Sequence, residues 1–172
     1  MIKLKKTKIE GCYEIERKYF EDERGSFGRL FSDEFIDLEI KHINHSKTII
    51  KGAIRGLHYQ LKPYSEIKLV TCLRGSIFDV CVDMRKDSYT YGQHHSITLD
   101  SPFKSLIIPK ECAHGFQSLT NVSEIVYASS AYWNKDNEKG VNPLDPSLNI
   151  KWPIDNVFLS DKDRANDDFK DH

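Results

Sequence analysis

The stretch that most limits the fold is residues 67–85, IKLVTCLRGSIFDVCVDMR. Two runs rich in β-branched and apolar residues flank Arg74-Gly75-Ser76, and this spacing reads as a β-hairpin. In the second run Ile77, Asp79, Cys81 and Asp83 alternate with Phe78, Val80, Val82 and Met84, the period of a half-buried strand. HHSITL (94–99), SLIIP (105–109) and EIVYASSAYW (124–133) supply further strands, separated by the turn-forming DSP and NVS. Helical periodicity is confined to DEFIDLEI (33–40), with Ser32 and Asp33 as caps. DNEKGVNPLDPSLNIKWPIDN (136–156) is rich in Pro, Asn and Asp and reads as loops lying over a scaffold. Many short strands with so little helix predict an all-β sandwich or small barrel.

At 172 residues the chain can bury a core without covalent staples, and its length suits one domain spanning 1–172. The 25 basic residues nearly balance 26 acidic ones, so no global field attracts nucleic acid. No apolar run approaches the ~20 residues of a membrane-spanning helix. The N-terminal MIKLKKTKIEG is basic but lacks the apolar core of a secretory signal. Cys12, Cys72, Cys81 and Cys112 form no CxxC pair, which disfavours disulfide frameworks and cysteine-rich zinc sites. The expectation is a cytoplasmic domain with neither nucleic-acid nor membrane partners.

Small antiparallel barrels bind ligands at their mouths, where inward residues of several strands converge. Two stretches resemble the loose motifs of the cupins, a jelly-roll barrel class. Gly52 precedes His58 by the spacing of the first motif, and Pro109 precedes His114 by that of the second. In the first motif, however, Gln60 replaces a histidine, and in the second Glu111 replaces a glycine. His58, His114 and Glu66 would make a poor metal triad, because a tight site wants three or four good ligands on one point. Hydrogen-bonded barrel histidines without function are another reading. A third is a metal-free base, since an imidazole titrates near ~6.5. Such a base needs a carboxylate partner, a cation where charge accumulates and, for inversion at carbon, an acid on the opposite face. Lys68 and Tyr127 are candidates for the last two; a tyrosine's pKa would be lowered by nearby cations. The carboxylates are too numerous to choose among.

Taken in series, EDERGSF (21–27), NHSK (44–47), IRGLHYQ (54–60), KLVTCLRGSIFDVCVDMRKDSYTYGQ (68–93), IPKECAHGFQSL (108–119), EIVYASSAYW (124–133) and DPSLNIKWP with LSDKD (145–163) resemble the dTDP-4-dehydrorhamnose 3,5-epimerase family, a metal-independent branch of the cupins. The resemblance implies an all-β, cupin-type jelly-roll barrel with short peripheral helices. It implies a homodimer that exchanges an N-terminal strand, and a C-terminal loop and helix covering the site. It implies no cofactor and no metal, and a nucleotide-sugar substrate used in deoxysugar and polysaccharide biosynthesis. By the same resemblance His58 is the base, Asp163 its carboxylate partner, Tyr127 the opposing acid and Lys68 the cation for the enolate oxygen. Arg24, Asn44, Arg55, Gln60, His114, Glu138 and Lys162 match substrate-binding positions, with Arg24 and Arg55 suited to clamp a diphosphate. Phe27 fits the position that packs near the base, which Tyr132 or Trp133 would cover, and Arg29 stands at a position near the nucleobase.

Three departures fall beside this expected pocket. His42-Ile43-Asn44 stands where the family commonly has Gln-Asp-Asn, Arg29 where it has an acid, and Glu66-Ile67 where it has Gln-Gly. They leave the acid/base parts intact and the substrate open. The expected reaction converts dTDP-4-dehydro-6-deoxy-D-glucose to dTDP-4-dehydro-L-rhamnose. Inversion at C3 or C5 alone on another nucleotide-linked 4-keto sugar is an alternative. So are a cupin ketoisomerase, which Tyr127 and RGLHYQ disfavour, and a non-catalytic sugar- or metal-binding cupin.

Overall fold

The computed structural model describes residues 2–32 and 38–172. Its strands are β1 (Ile2–Lys6), β2 (Tyr13–Arg17), β3 (Phe20–Asp22), β4 (Gly25–Phe27), β5 (His42–Thr48), β6 (Ile54–Gln60) and β7 (Lys68–Arg74). They continue with β8 (Ile77–Asp83), β9 (His94–Leu99), β10 (Lys104–Ile108), β11 (Cys112–Ser118), β12 (Ser123–Ser129) and β13 (Glu138–Gly140), followed by a one-turn helix α1 (Asp161–Arg164). A six-stranded sheet runs β1-β2-β10-β7-β12-β5, and a five-stranded sheet runs β13-β6-β11-β8-β9. β3 and β4 form a separate hairpin. All named strand pairs are antiparallel. The two sheets pack face to face on Val70, Cys72, Ile77, Cys81, Leu99, Leu106, Phe116 and Ile125, which gives the expected all-β jelly roll.

The 67–85 stretch folds differently from the predicted hairpin. β7 pairs with β10 and β12, whereas β8 pairs with β11 and β9, so the chain crosses from one sheet to the other between them. Gly75, at φ +77°, makes the corner; a Cβ there would strike the Val122 carbonyl. A tight glycine turn has the same sequence signature whether its strands pair or part.

The second run is also more buried than its alternation predicts. Ile77 and Cys81 face the core between the sheets, while Phe78, Val80, Val82 and Met84 pack outward against Val141, Leu148, Ile150, Trp152 and Phe169. The Pro- and Asn-rich segment is therefore a cover over the five-stranded sheet, as expected. It is pinned by Gln117, whose side-chain oxygen accepts from the Ile154 N–H at 3.0 Å. β12 ends at Ser129, short of the expected 133. Of the predicted helix 33–40, residues 33–37 lie outside the described residues, and Leu38, Glu39 and Ile40 are not helical. Leu38 packs with Ile15, Leu69, Ile107 and Ala128 on the outer face of the six-stranded sheet.

Two local backbone features stand out in the five-stranded sheet and its approach. Gly56, at φ +123°, would place a Cβ 2.6 Å from the Gly115 Cα, so β6 and β11 meet glycine against glycine where their register shifts. Glu111, which replaces the motif glycine, keeps the left-handed conformation glycine would favour, at φ +57°. No helix among the described residues is long and apolar enough to cross a membrane.

Candidate active site

Period-two alternation places the site. In β6, Leu57 and Tyr59 point outward into the covered face, and His58 and Gln60 point into the barrel mouth. His58 thus sits within a strand. Lys68 opens β7 on the same face as Val70 and Cys72, and Tyr127 and Ser129 continue the face of Ile125 in β12. Asn44 and His42 of β5 lie opposite Tyr127 and Ser129, and Glu138 of β13 lies opposite Gln60. Together with Glu66, Tyr132 and Trp133 they line a cavity of about 520 Å³. His58 belongs to the five-stranded sheet and Tyr127 to the six-stranded one, so they stand on opposite walls.

Behind His58 is Asp163, 4% exposed, whose Oδ1 lies 2.6 Å from His58 Nε2. α1 carries it there: the Ser160 side chain caps the helix by accepting from the Asp163 N–H at 3.1 Å. Burial pushes the Asp163 carboxyl up, but the His58 bond and charge, the Ser160 hydroxyl and the Gly56 N–H outweigh it and hold it below the usual carboxylate range. Asp163 is therefore an anion at neutral pH, and Nδ1 is the His58 nitrogen left for a substrate proton.

Tyr127 departs from expectation. Burial first, then the charges of Glu66 and Glu138, raise its phenol above the usual value, against the smaller opposing effects of Arg55 and the Asn44 hydrogen bond. Carboxylates, not cations, dominate its surroundings, and it stays protonated as an acid should. Glu138 is itself held low: burial opposes, but the 2.5 Å Lys162 contact, the His58 charge and the Trp133 indole prevail.

The other expected residues divide. Asn44, Gln60, Tyr132 and Glu138 line the cavity. Arg55, Lys162 and Asp163 line an adjoining groove of about 510 Å³, which shares His58 with the cavity and has Ile49, Ile50 and Phe158 along its apolar side. His114 lines neither; its Nε2 meets the buried Asp79 Oδ1 at 2.7 Å. With His58 on Asp163, His114 on Asp79 and Glu66 on Lys68, the three ligands of the poor metal triad point to different partners. Arg24, Phe27 and Arg29 stand away from this chain's cavity; Arg24 pairs with Asp22 on the β3–β4 hairpin, and Phe27 is 73% exposed. Ser129 is a site residue the sequence reading did not assign, although it lies two positions along β12 from Tyr127, and His42, read as a departure beside the pocket, lines it.

The arrangement can remove a proton with a carboxylate-oriented imidazole, hold an oxyanion at Lys68 and return a proton from the opposite wall. Residues 6–171 match the family model described as dTDP-4-dehydrorhamnose 3,5-epimerase. The dTDP-4-dehydrorhamnose 3,5-epimerase of Shigella flexneri is 42% identical, over 96% of this chain and 95% of its own. The dTDP-4-dehydrorhamnose 3-epimerase of Streptomyces niveus is 35% identical, over 95% of this chain and 82% of its own. A Legionella pneumophila 3,5-epimerase solved with dTDP-4-keto-L-rhamnose superposes with a TM-score of 0.92 at 35% identity, covering 99% of this chain and 94% of its own. This chain therefore belongs to the dTDP-4-dehydrorhamnose 3,5-epimerase family and is an isomerase.

Proposed function

We propose that the protein epimerises a dTDP-linked 4-keto-6-deoxy sugar, converting dTDP-4-dehydro-6-deoxy-D-glucose to dTDP-4-dehydro-L-rhamnose. The observation that carries this reading is one cavity with the His58–Asp163 pair on one wall, Tyr127 on the other and Lys68 between. The 4-keto group acidifies the protons at C3 and C5. His58 Nδ1 takes one, Asp163 stabilises the imidazolium, and the charge moves to the keto oxygen, where Lys68 meets it. Tyr127 then donates its O–H proton to the other face of the same carbon, and the centre inverts. The ketone is the electron sink, so the chemistry needs no cofactor. Asn44, Gln60, Tyr132 and Glu138 hold the sugar, and Arg55 and Lys162 meet the diphosphate in the adjoining groove.

Arg24, Phe27 and Arg29 are assigned to the site of a second subunit in a homodimer. β1 pairs with β2 of its own chain, whereas among the described residues the β3–β4 hairpin pairs only with itself and leaves Phe20 65% exposed, so the hairpin is the arm to be exchanged. His114 steadies the wall behind His58 through Asp79. Four free, buried cysteines suit a cytoplasmic enzyme.

The test is incubation with dTDP-4-keto-6-deoxyglucose in deuterated water, followed by NMR. Label at C3 and C5 is expected, and no label overturns the assignment. The similarity to the Streptomyces niveus 3-epimerase favours one second reading, inversion at C3 alone, for which label would appear only there.

A further inference from the structure

Glu66 stands in the cavity wall with no part yet in the chemistry. It precedes β7, and its side chain is 8% exposed, so its carboxylate must be answered by neighbours. Oε1 lies 2.9 Å from Lys68 Nζ, and Oε2 accepts from Gln60 Nε2. Gln60 extends the network: Nε2 also donates to the carbonyls of Tyr64 and Tyr132, and Oε1 accepts from the Asn134 N–H at 2.6 Å. The network thus joins the Lys68 ammonium to the segment that carries Tyr132 and Trp133 over the cavity. Lys68 itself is 14% exposed, so the cation meant for the keto oxygen is half of a buried ion pair.

We propose that Glu66 is a positioning residue: it fixes Lys68 and Gln60 in the wall and sets how much ammonium charge the substrate oxygen meets. The inference rests on the epimerase reading above. A ketone oxygen entering the cavity must compete with Glu66 for Lys68, so the carboxylate weakens binding of the anionic nucleotide sugar. Among the described residues, the other charged and titratable groups around Tyr127 are His42 of β5, Arg55, His58 and Tyr59 of β6, Lys68 of β7, Glu138 of β13 and Tyr132, with Asn44 as a hydrogen-bond partner. After burial, Glu66 is the largest influence holding that phenol protonated.

Glu66→Gln keeps the shape and removes the charge; Glu66→Asp keeps the charge on a shorter arm. For Glu66→Gln, KM for the nucleotide sugar is expected to fall of the order of tenfold, the scale of a unit charge several ångströms away in a partly screened site. The Tyr127 phenol should also ionise at lower pH, read as the ultraviolet difference between each protein and its Tyr127→Phe counterpart. Glu66→Asp, which keeps the charge, should not lower KM and should leave the Tyr127 titration close to that of the wild type. The proposal is overturned if Glu66→Gln changes neither KM nor the Tyr127 titration. It is equally overturned if Gln and Asp raise KM alike, which would mean the side chain only props the wall. Absence of turnover in the wild type would instead defeat the epimerase reading, while the Tyr127 titration still tests Glu66.

Discussion

Replacing Asp163 by Asn removes one charge while nearly keeping the side chain's shape. The His58 Nε2 to Asp163 Oδ1 distance is 2.6 Å. At that distance a full charge pair at an effective dielectric near ~20 gains about 6 kcal/mol. Two effects reduce what is lost. The His58 side chain is 26% exposed, so water screens part of the field, and the Asn oxygen retains a dipole. The expected loss of transition-state stabilisation is then about 3–4 kcal/mol, or roughly 10²–10³ in rate. If the amide instead turns its NH₂ to His58, the imidazole must carry its proton on Nδ1, and the base is blocked outright. The assay is the initial rate of deuterium incorporation into the 4-keto sugar, followed by NMR at saturating substrate. Thermal melting serves as a control for folding, because the Ser160 cap uses the Asp163 backbone N–H and survives the change. Exchange within about threefold of wild type in a folded Asp163→Asn protein would refute the view that this carboxylate stabilises an imidazolium.

Tyr127→Phe should lower the rate of inversion by about 10²–10³ while proton removal at the His58 wall continues. Substrate recovered from deuterated water should then be labelled but uninverted, and inverted product at the wild-type rate would count against Tyr127 as the acid. Gly56→Ala forces a side chain at φ +123° into the Gly115 Cα, and should lower unfolding stability by about 2–4 kcal/mol in denaturant titration. An equally stable variant would mean that β6 and β11 need no such close approach. Asp83 is buried on β8. Burial pushes its carboxyl up, but the Arg85 bonds, Thr90, Ser88 and the Arg85 N–H prevail and hold it at about 2. Its folded value lies below the unfolded one of 3.8, so it adds about 2 kcal/mol above pH 4 that is lost as pH falls through 2. Asp83→Asn should flatten the stability profile across pH 4 to 2, measured by urea unfolding, and an unchanged profile would show that other carboxylates govern acid unfolding.

How far the sequence could be read depended on the range of the signal. Strand-like composition between turn residues is local, and it located β9 and β10. Pairing is not local, and so Gly75 passed for a hairpin turn when it is a corner between sheets. The outward burial of Val80 and Val82 was illegible because their cover comes from Leu148 and Trp152, residues in a stretch with the composition of a loop. His58 was legible as a candidate from its motif spacing. Its partner Asp163, 105 residues away, came only from the resemblance to a family. Glu66 was seen as a departure and as the third ligand of a poor metal triad, and only the structure shows it joined to Lys68 and Gln60.

Asp163 lies downstream of every named strand, on a helix one turn long. During synthesis both sheets can therefore leave the ribosome before the carboxylate that orients the base exists. A chain cut short ahead of Ser160 would retain all the strands yet have no anion behind His58. On the proposed mechanism such a chain would exchange substrate protons only at the slow rate expected of the Asp163→Asn protein, although its barrel is whole.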